Sequence, residues 1–435
     1  MRHWKAISTS FATLCARLLS VAGLMITNGI AGRLMSKEQF GLWAILLSFN
    51  LLTNGLDLGF GFTLGNRLAA LGSRGSEAEQ ERRETFLSIF FLEALITLAL
   101  ILLILVFVPI IPWTYFFHIT DPVLGAQAQH IMPLTLIFMV GTLPFALTGP
   151  VLYAYQEIKL ASGLAGASAL LQTAVFAIAV TRCSYTQLIL IYFFANVALC
   201  ALGTVYIFFR RNWAFSFIQP GRAVAIVRSL ARVSIHAFCL CLPAIFNMML
   251  GPLISGMVSG LAAAGDFLLV QKLFTFLGSA HLSILSPFTP KFTLDAASGA
   301  WDAVRARLRL CLLVIFPVTF GTAGLAIFLF HPFIIHLWVG RTITDYAISA
   351  LFLGWIILYG FGNTYSVLLN ALGLVKVQAI LSMSMILPSL LLPFLLGRIY
   401  GPVGIPISAI ICMLPAMIIL PLYTRKALRL KLTRL

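Results

Sequence analysis

The sequence predicts an all-α polytopic membrane protein of about twelve transmembrane helices, set out as two pseudo-symmetric six-helix lobes. Three observations carry that prediction. The first is composition: of 435 residues, 60% are hydrophobic and 10% charged, with a mean hydropathy of +1.01. A soluble domain has roughly 45–50% apolar and about 25% charged residues, so a water-soluble fold is excluded. The second is run length. Apolar stretches such as Thr85 to Pro109 reach the roughly 20 residues that a bilayer-crossing helix needs, whereas membrane-barrel strands alternate over about 10. The third is internal repetition. A charged connection follows the second helix of each half, at 66–84 and 289–309, and a very short connection with one lysine, Lys159 or Lys376, follows the fourth. Twelve spans consume about 240 residues and leave no room for a sizeable soluble domain.

In chain order, the first helix, at about 11–32, embeds Arg17. Two roles are open to that cation: holding an anionic head group from a central cavity, or snorkelling to the near interface. The second helix, 41–64, holds Asp57 amid Gly55, Gly59, Gly61 and Gly65. Glycine at that density admits a neighbouring helix or loosens the span. Asp57 either pairs with Arg17, carries a coupling proton, or makes a structural hydrogen bond that orients the helix. The connection 66–84, with Glu77, Glu79, Glu81 and Glu84 among its arginines, reads as a solvated amphipathic helix. The third helix, 85–108, embeds Glu93 with no local partner, as a proton relay or as a carboxyl kept neutral by desolvation. The outward segment 109–130 has one carboxylate, Asp121. Helices at 131–152, 161–181 and 187–209 complete the half, the fifth being rich in Gly, Ala and Ser, which allow close packing.

A basic connection from Arg210 to Arg232 leads to the second half, giving an N-terminal lobe at 1–210, a linker at 211–233 and a C-terminal lobe at 234–435. The seventh helix, 234–258, is interrupted by Pro243 and Pro252; neighbouring helices can satisfy the backbone groups that these prolines free. The eighth, 266–288, opens with Asp266 as a cap and embeds Lys272, with the same two roles open to it as to Arg17. Together Arg17 and Lys272 would form a two-sided clamp for a phosphate or pyrophosphate through charge-assisted hydrogen bonds. His236 and His281 read as satisfied core histidines. Helices at 310–331, 347–369, 377–397 and 402–423 close the chain.

Lys and Arg number 29 against 13 Asp and Glu, for a net charge of +16. In a polytopic chain that excess sets topology rather than marking nucleic acid. Apart from the embedded Arg17 and Lys272, all the cations except Arg33, Lys37, Arg182, Arg341 and Arg398 fall on one side of the predicted spans. Both termini are therefore expected on the cytoplasmic face. The 7 cysteines lie mostly in apolar spans and read as small buried hydrophobes. Cys239-x-Cys241 is too close for the usual metal-ligand spacing. The zinc-protease patterns, G-x-S-x-G and the phosphate-binding P-loop are absent, and Gly59-Phe60-Gly61 lies within a span rather than after a strand. No catalytic residue, metal or cofactor is expected.

Several local patterns then meet in order. The stretch Gly32–Ala69 has Arg33, Leu34, Glu38, Phe40 and Gly41 before a helix carrying Leu56-Asp57-Leu58-Gly59. It resembles the opening of lipid-linked polysaccharide flippases of the O-antigen type, in the multidrug/oligosaccharidyl-lipid/polysaccharide (MOP) superfamily. YAYQEIKLAS from Tyr153, AAAGDFLLVQKL from Ala262, HLWVG from His336 and NALGLVKVQ from Asn370 resemble its later landmarks. Two places depart from the pattern: one extra residue before Glu38, and Asp266 where a tyrosine is usual. The resemblance implies a V-shaped pair of lobes working by alternating access in a bacterial inner membrane. It implies an undecaprenyl-pyrophosphate-linked oligosaccharide as substrate, held by Arg17 and Lys272, with other polysaccharide-assembly proteins as partners. An ion-coupled multidrug exporter of the same fold is the alternative, to which Asp57 and Glu93 are suited. A membrane polymerase or ligase acting on lipid-linked glycans is opposed by the short, carboxylate-poor outward loops.

Overall fold

The computed structural model describes residues 19–53, 55–72, 78–213 and 218–432. All regular structure among them is helical. The chain divides into two compact units, Met1–Cys241 and Leu242–Leu435. The boundary falls inside a helix, so most of the segment expected to be a linker at 211–233 is the first half of that helix.

In the first unit, helix α1 is Leu19–Leu34. Ser36 and Gln39 form a reciprocal capping box that starts α2, Lys37–Thr53. The predicted second span is not continuous. It breaks at a turn over 55–59, where Leu58 and Gly59 have φ of +50° and +79°, and resumes as α3, Phe60–Gly72. Helix α4, Glu79–Phe107, buries Phe86, Leu87 and Ile89 near its start. It exposes Leu95, Leu98, Leu102, Leu103 and Leu105 further on. An apolar surface of that kind is stable only against lipid or another apolar face. The short α5, Trp113–Phe116, stacks Trp113 on Phe117 at 5.6 Å and leaves Tyr115 outermost. Asp121 caps α6, Pro122–Gly141, and a 3-10 turn over Leu143–Leu147 leads to α7, Thr148–Ala154. Helices α8, Ile158–Arg182, and α9, Tyr185–Arg211, pack on each other, α9 starting at a second capping box of Ser184 and Gln187. The glycine- and alanine-rich fifth span is thus fully helical. The first half of α10, Pro220–Met249, completes this unit. Trp43 anchors one core against Phe176, Tyr192 and Phe193, its indole donating to Asn28 at 3.0 Å.

The second unit starts late in α10 and continues as α11, Gly251–Ser259, with Pro252 in its first turn. Helix α12, Leu261–Leu285, starts at Gly260 and is buried along most of its length. Asp266 therefore lies in its second turn and does not cap it. Two shorter helices follow, α13, Phe288–Ala297, and α14, Trp301–Leu310, joined by the Arg307–Asp295 ion pair. The next span is wound with wide π turns over Cys311–Ile315 and Pro317–Gly324 before α15, Leu325–Val339. Pro317 has no N–H and its ring crowds the preceding turn; widening the helix relieves both. Asp345 caps α16, Tyr346–Ala371. The eleventh span is broken at Met385 into α17, Lys376–Ser384, and α18, Ile386–Tyr400, and α19, Gly404–Leu432, closes the chain.

Each of the twelve predicted spans is largely helical where its residues are described, with interruptions such as those at 55–59, 142, 250 and 385. Eight helical stretches among the described residues are long and apolar enough to cross a membrane. The difference arises where a span is interrupted, as at 55–59, or runs into its neighbour, as over Lys376–Arg429. The chain is a multi-pass, all-α membrane protein.

Candidate functional site

The interruption of the second span is built from its own sequence. Asp57 turns back, its Oδ1 accepting from the Gly59 N–H at 3.0 Å and its Oδ2 from the Gly61 N–H at 3.2 Å. These bonds satisfy N-terminal donors of α3 that have no helical partner. Gly59 is required twice over. Its φ is left-handed, and a Cβ there would lie 2.4 Å from the Ser234 carbonyl oxygen on α10. One turn on, Thr63 Oγ1 and Ser234 Oγ share a hydrogen bond of 2.6 Å. The break is thus pinned against α10. Half-helices with polar ends at membrane depth are a recurrent device of transporter binding sites.

Glu93 lies on α4 with no exposed surface, and neither carboxylate oxygen has a hydrogen-bond partner. Asp57 is its electrostatic neighbour. The structure therefore brings the two predicted carboxylates of the first unit together, one with both oxygens used and one with neither. Arg17 lies outside the described residues. Lys272 is half-buried on α12, and no carboxylate pairs with it among the described residues. His281 is a core histidine, with Nδ1 2.9 Å from Thr319 Oγ1 and Nε2 3.2 Å from Thr364 Oγ1. His236 is not a core residue: it is exposed, and its Nδ1 lies against the Arg232 carbonyl.

The 66–84 connection differs most from expectation. It is not a freely solvated helix. Glu77 lies outside the described residues, and Arg67 and Glu81 pair at the partly exposed edge, while Glu79, Arg82 and Glu84 enter a semi-buried knot that joins the ends of α3, α4, α7 and α9. The Glu79 carboxylate accepts from the Tyr155 hydroxyl at 2.5 Å and from the Trp213 indole at 3.0 Å. Arg82 donates to the Leu68 carbonyl at 3.0 Å. The Arg82 and Arg211 guanidiniums lie over the Tyr155 ring at 4.4 and 3.7 Å. Glu157 pairs with Arg210 and Arg211, and Glu84 pairs with Arg222. Burial and the Glu79 bond push the Tyr155 phenol above its ordinary pKa. Sequence reasoning found the charges but not Tyr155 or Trp213, whose positions depend on how α7 and α9 end.

A cavity of about 200 Å³ lies beside the α17–α18 break, lined by Trp355, Tyr359, Gln378, Ser382 and Met385 among others. Its lining has no charged group. It is smaller than the roughly 300–1,000 Å³ of drug-sized sites, so it does not hold a large charged head group.

No protein-family model matches the chain, and no curated protein matches it. Solved structures do. An inward-facing multidrug resistance MATE family transporter of the MOP superfamily superposes with a TM-score of 0.70 at 12% identity, over 98% of this chain and 99% of that one. The lipid II flippase MurJ in an inward closed conformation gives 0.70 at 14% identity, over 96% and 87%. A MOP superfamily transporter from Pyrococcus furiosus, described for the reverse polarity of its binding pocket, gives 0.55 at 13% identity, over 97% and 96%. These neighbours are transporters and a flippase rather than enzymes. At such identities the likeness is one of fold, and this chain has the fold of the MOP superfamily transporters.

Proposed function

We propose that the protein flips an undecaprenyl-pyrophosphate-linked oligosaccharide from the cytoplasmic to the outer leaflet of a bacterial inner membrane, by alternating access, for assembly of O-antigen, capsule or exopolysaccharide. The physical task is to carry a polar, doubly anionic head group across about 30 Å of hydrocarbon while the lipid tail stays in the bilayer. The observation that carries the reading is Lys272, a half-buried cation on an apolar helix with no carboxylate partner among the described residues. An embedded cation costs roughly 2.5–3.5 kcal/mol on insertion scales. A pyrophosphate is the partner that would repay it by charge-assisted bonds. The likeness in fold to a lipid II flippase over most of the chain supports a lipid-linked substrate. Arg17 is assigned to the same anion, both termini to the cytoplasm, and other polysaccharide-assembly proteins are the partners.

Glu93 favours a second reading. A buried carboxyl with two unused oxygens suits coupling to a cation, and with the MATE-like fold it supports an ion-coupled multidrug exporter. The two readings separate in one experiment. Lipid-linked oligosaccharide is detected leaflet by leaflet in cells lacking the protein, then rescued with wild type, Arg17→Ala or Lys272→Ala at matched expression. Accumulation on the cytoplasmic face, cleared by wild type and not by the variants, supports flipping and the clamp. An unchanged distribution on deletion removes the glycan reading and leaves drug export.

A further inference from the structure

His281 on α12 is completely buried, between Thr319 on the π-wound segment and Thr364 on α16. Its ring packs against Phe320 at 4.7 Å. Gly360 allows that approach, since a Cβ there would lie 2.2 Å from the Phe320 ring. The protons of this triad can be counted. Thr319 Oγ1 is 2.7 Å from the Ile315 carbonyl, and Thr364 Oγ1 is 2.9 Å from the Gly360 carbonyl. Each hydroxyl has one proton. If both threonines donate to their carbonyls, both must accept from the imidazole, and only a doubly protonated ring has two N–H groups to give. A neutral ring makes one bond fewer, or obliges one threonine to turn its proton away from the backbone.

The surroundings decide between the two. Helices α11, α15 and α16 and the π-wound segment pack against α12, and none of them contains Asp or Glu. Their titratable groups are Cys311, His331, His336, Tyr346, Tyr359 and Tyr365, none of which supplies a counter-charge. On α12 itself, Lys272 and Asp266 are about 13 and 22 Å away along the axis at about 1.5 Å per residue. An isolated buried charge costs far more than one unmade hydrogen bond, so in this packing the ring is neutral and one bond is forgone. Water reaching the ring reverses the balance, because a hydrated imidazolium completes both threonine bonds. The π-wound backbone that carries Thr319 is a helix form often found at functional sites.

We propose that His281, Thr319 and Thr364 form a proton-binding site inside the second unit, vacant while α12, the π-wound segment and α16 pack as they do here and occupied when that packing opens. The inference rests on the transport reading only in requiring the unit to open, and its readout needs no substrate.

The test is hydrogen–deuterium exchange on the full chain in lipid nanodiscs at about pH 8 and about pH 5, on either side of the ordinary histidine value near 6.5. Amides of α8 in the first unit calibrate the chemical effect of pH. Linkage at one such site predicts that opening of 277–285, 315–324 and 358–366 rises about thirtyfold at the lower pH. His281→Gln, which hydrogen-bonds at both ends but does not titrate, should flatten that rise. His331→Gln, which leaves the imidazole and both of its threonine partners in place, should retain it. A corrected change below threefold in wild type overturns the proposal even if His281→Gln fails to fold. Full retention in His281→Gln, or loss in His331→Gln, also overturns it, and none of these results touches the flippase reading.

Discussion

Replacing Gly59 with alanine tests whether the second span is broken as described. Two costs fall on the new methyl group. The left-handed φ of +79° costs an L residue about 1–2 kcal/mol. The 2.4 Å approach to the Ser234 carbonyl oxygen is a backbone clash that no side-chain rotation relieves, and overpacking of this kind costs about 1–3 kcal/mol. The total is about 2–5 kcal/mol. For a cooperative unit of this size, 1 kcal/mol moves Tm by about 2–4 °C, so Gly59→Ala should melt about 4–20 °C below wild type. The control is Gly65→Ala on the same helix. Its Cβ would meet Pro150 at 3.5 Å, an ordinary contact, with no left-handed φ. Alanine is better than glycine by about 1 kcal/mol inside a helix, so this variant should melt at or above the wild-type temperature. Thermal melts of the purified protein in detergent, followed by tryptophan fluorescence, read both. Opposite signs at two glycines six residues apart are the signature of the break. A Gly59→Ala protein that melts no lower than wild type, or two variants that shift together, would refute the turn geometry and the docking on Ser234.

Other substitutions separate structure from transport. Lys272→Ala should lower flipping by about tenfold or more, the loss of one charge-assisted contact of about 1.5–3 kcal/mol, and leave Tm within a few degrees; a variant that flips normally removes Lys272 from the clamp. Glu93→Gln preserves shape without a titrating group, so fold stability should stay within about 1 kcal/mol of wild type while any cation dependence of transport in proteoliposomes disappears. Unchanged ion coupling would assign Glu93 to structure. Tyr155→Phe removes the bond to Glu79 and retains the ring beneath the two guanidiniums, at a cost of about 1.5–3 kcal/mol at neutral pH by thermal melt. The folded phenol keeps its proton where the unfolded one loses it, so Tyr155's share of stability is full below about pH 10 and lost as pH rises beyond it. The melting curve of Tyr155→Phe should fall less steeply in that alkaline range, and an identical slope would contradict the buried bond.

Much of the fold is legible because hydropathy acts over about 20 residues, and helix identity in a bilayer is set by that sum. The described parts of the twelve stretches, and even the glycine-rich 161–181, come out largely helical for that reason. The interruptions depend on single residues whose effect is settled elsewhere in the chain. Gly55, Gly59 and Gly61 mark 41–64 as loose, but the stop itself takes the Asp57 bonds to the Gly59 and Gly61 amides, and its docking takes the Ser234 carbonyl, about 175 positions away in sequence. Pro317 suggests a kink, whereas the structure relieves it by widening to π turns on both sides of Phe316 and brings Thr319 to His281. Met385 carries no breaking signal at all. The knot around Glu79 was hidden for the same reason: a run of Glu and Arg reads as solvated until Tyr155 and Trp213 arrive from other helices to cover it.

The polar groups embedded in the spans fall into two classes once their partners are known. Asp57 uses both oxygens on backbone donors. Such groups hold a fold together, and replacing them exposes a cost that their partners now conceal. Glu93 uses neither oxygen, and Lys272 has no carboxylate partner among the described residues. A buried unmade bond costs about 1–3 kcal/mol, and more for a charged group, against a total stability of only about 5–15 kcal/mol. An apolar residue at position 93 would relieve that cost, and one at position 272 the cost of embedding a cation. Unsatisfied groups at membrane depth are therefore the places where a ligand, a proton or an ion completes what the chain leaves open, and they set the order in which the variants should be made: Lys272 for the anion, Glu93 for the coupling cation, and Asp57 only as the control that should destabilise the fold before it impairs transport.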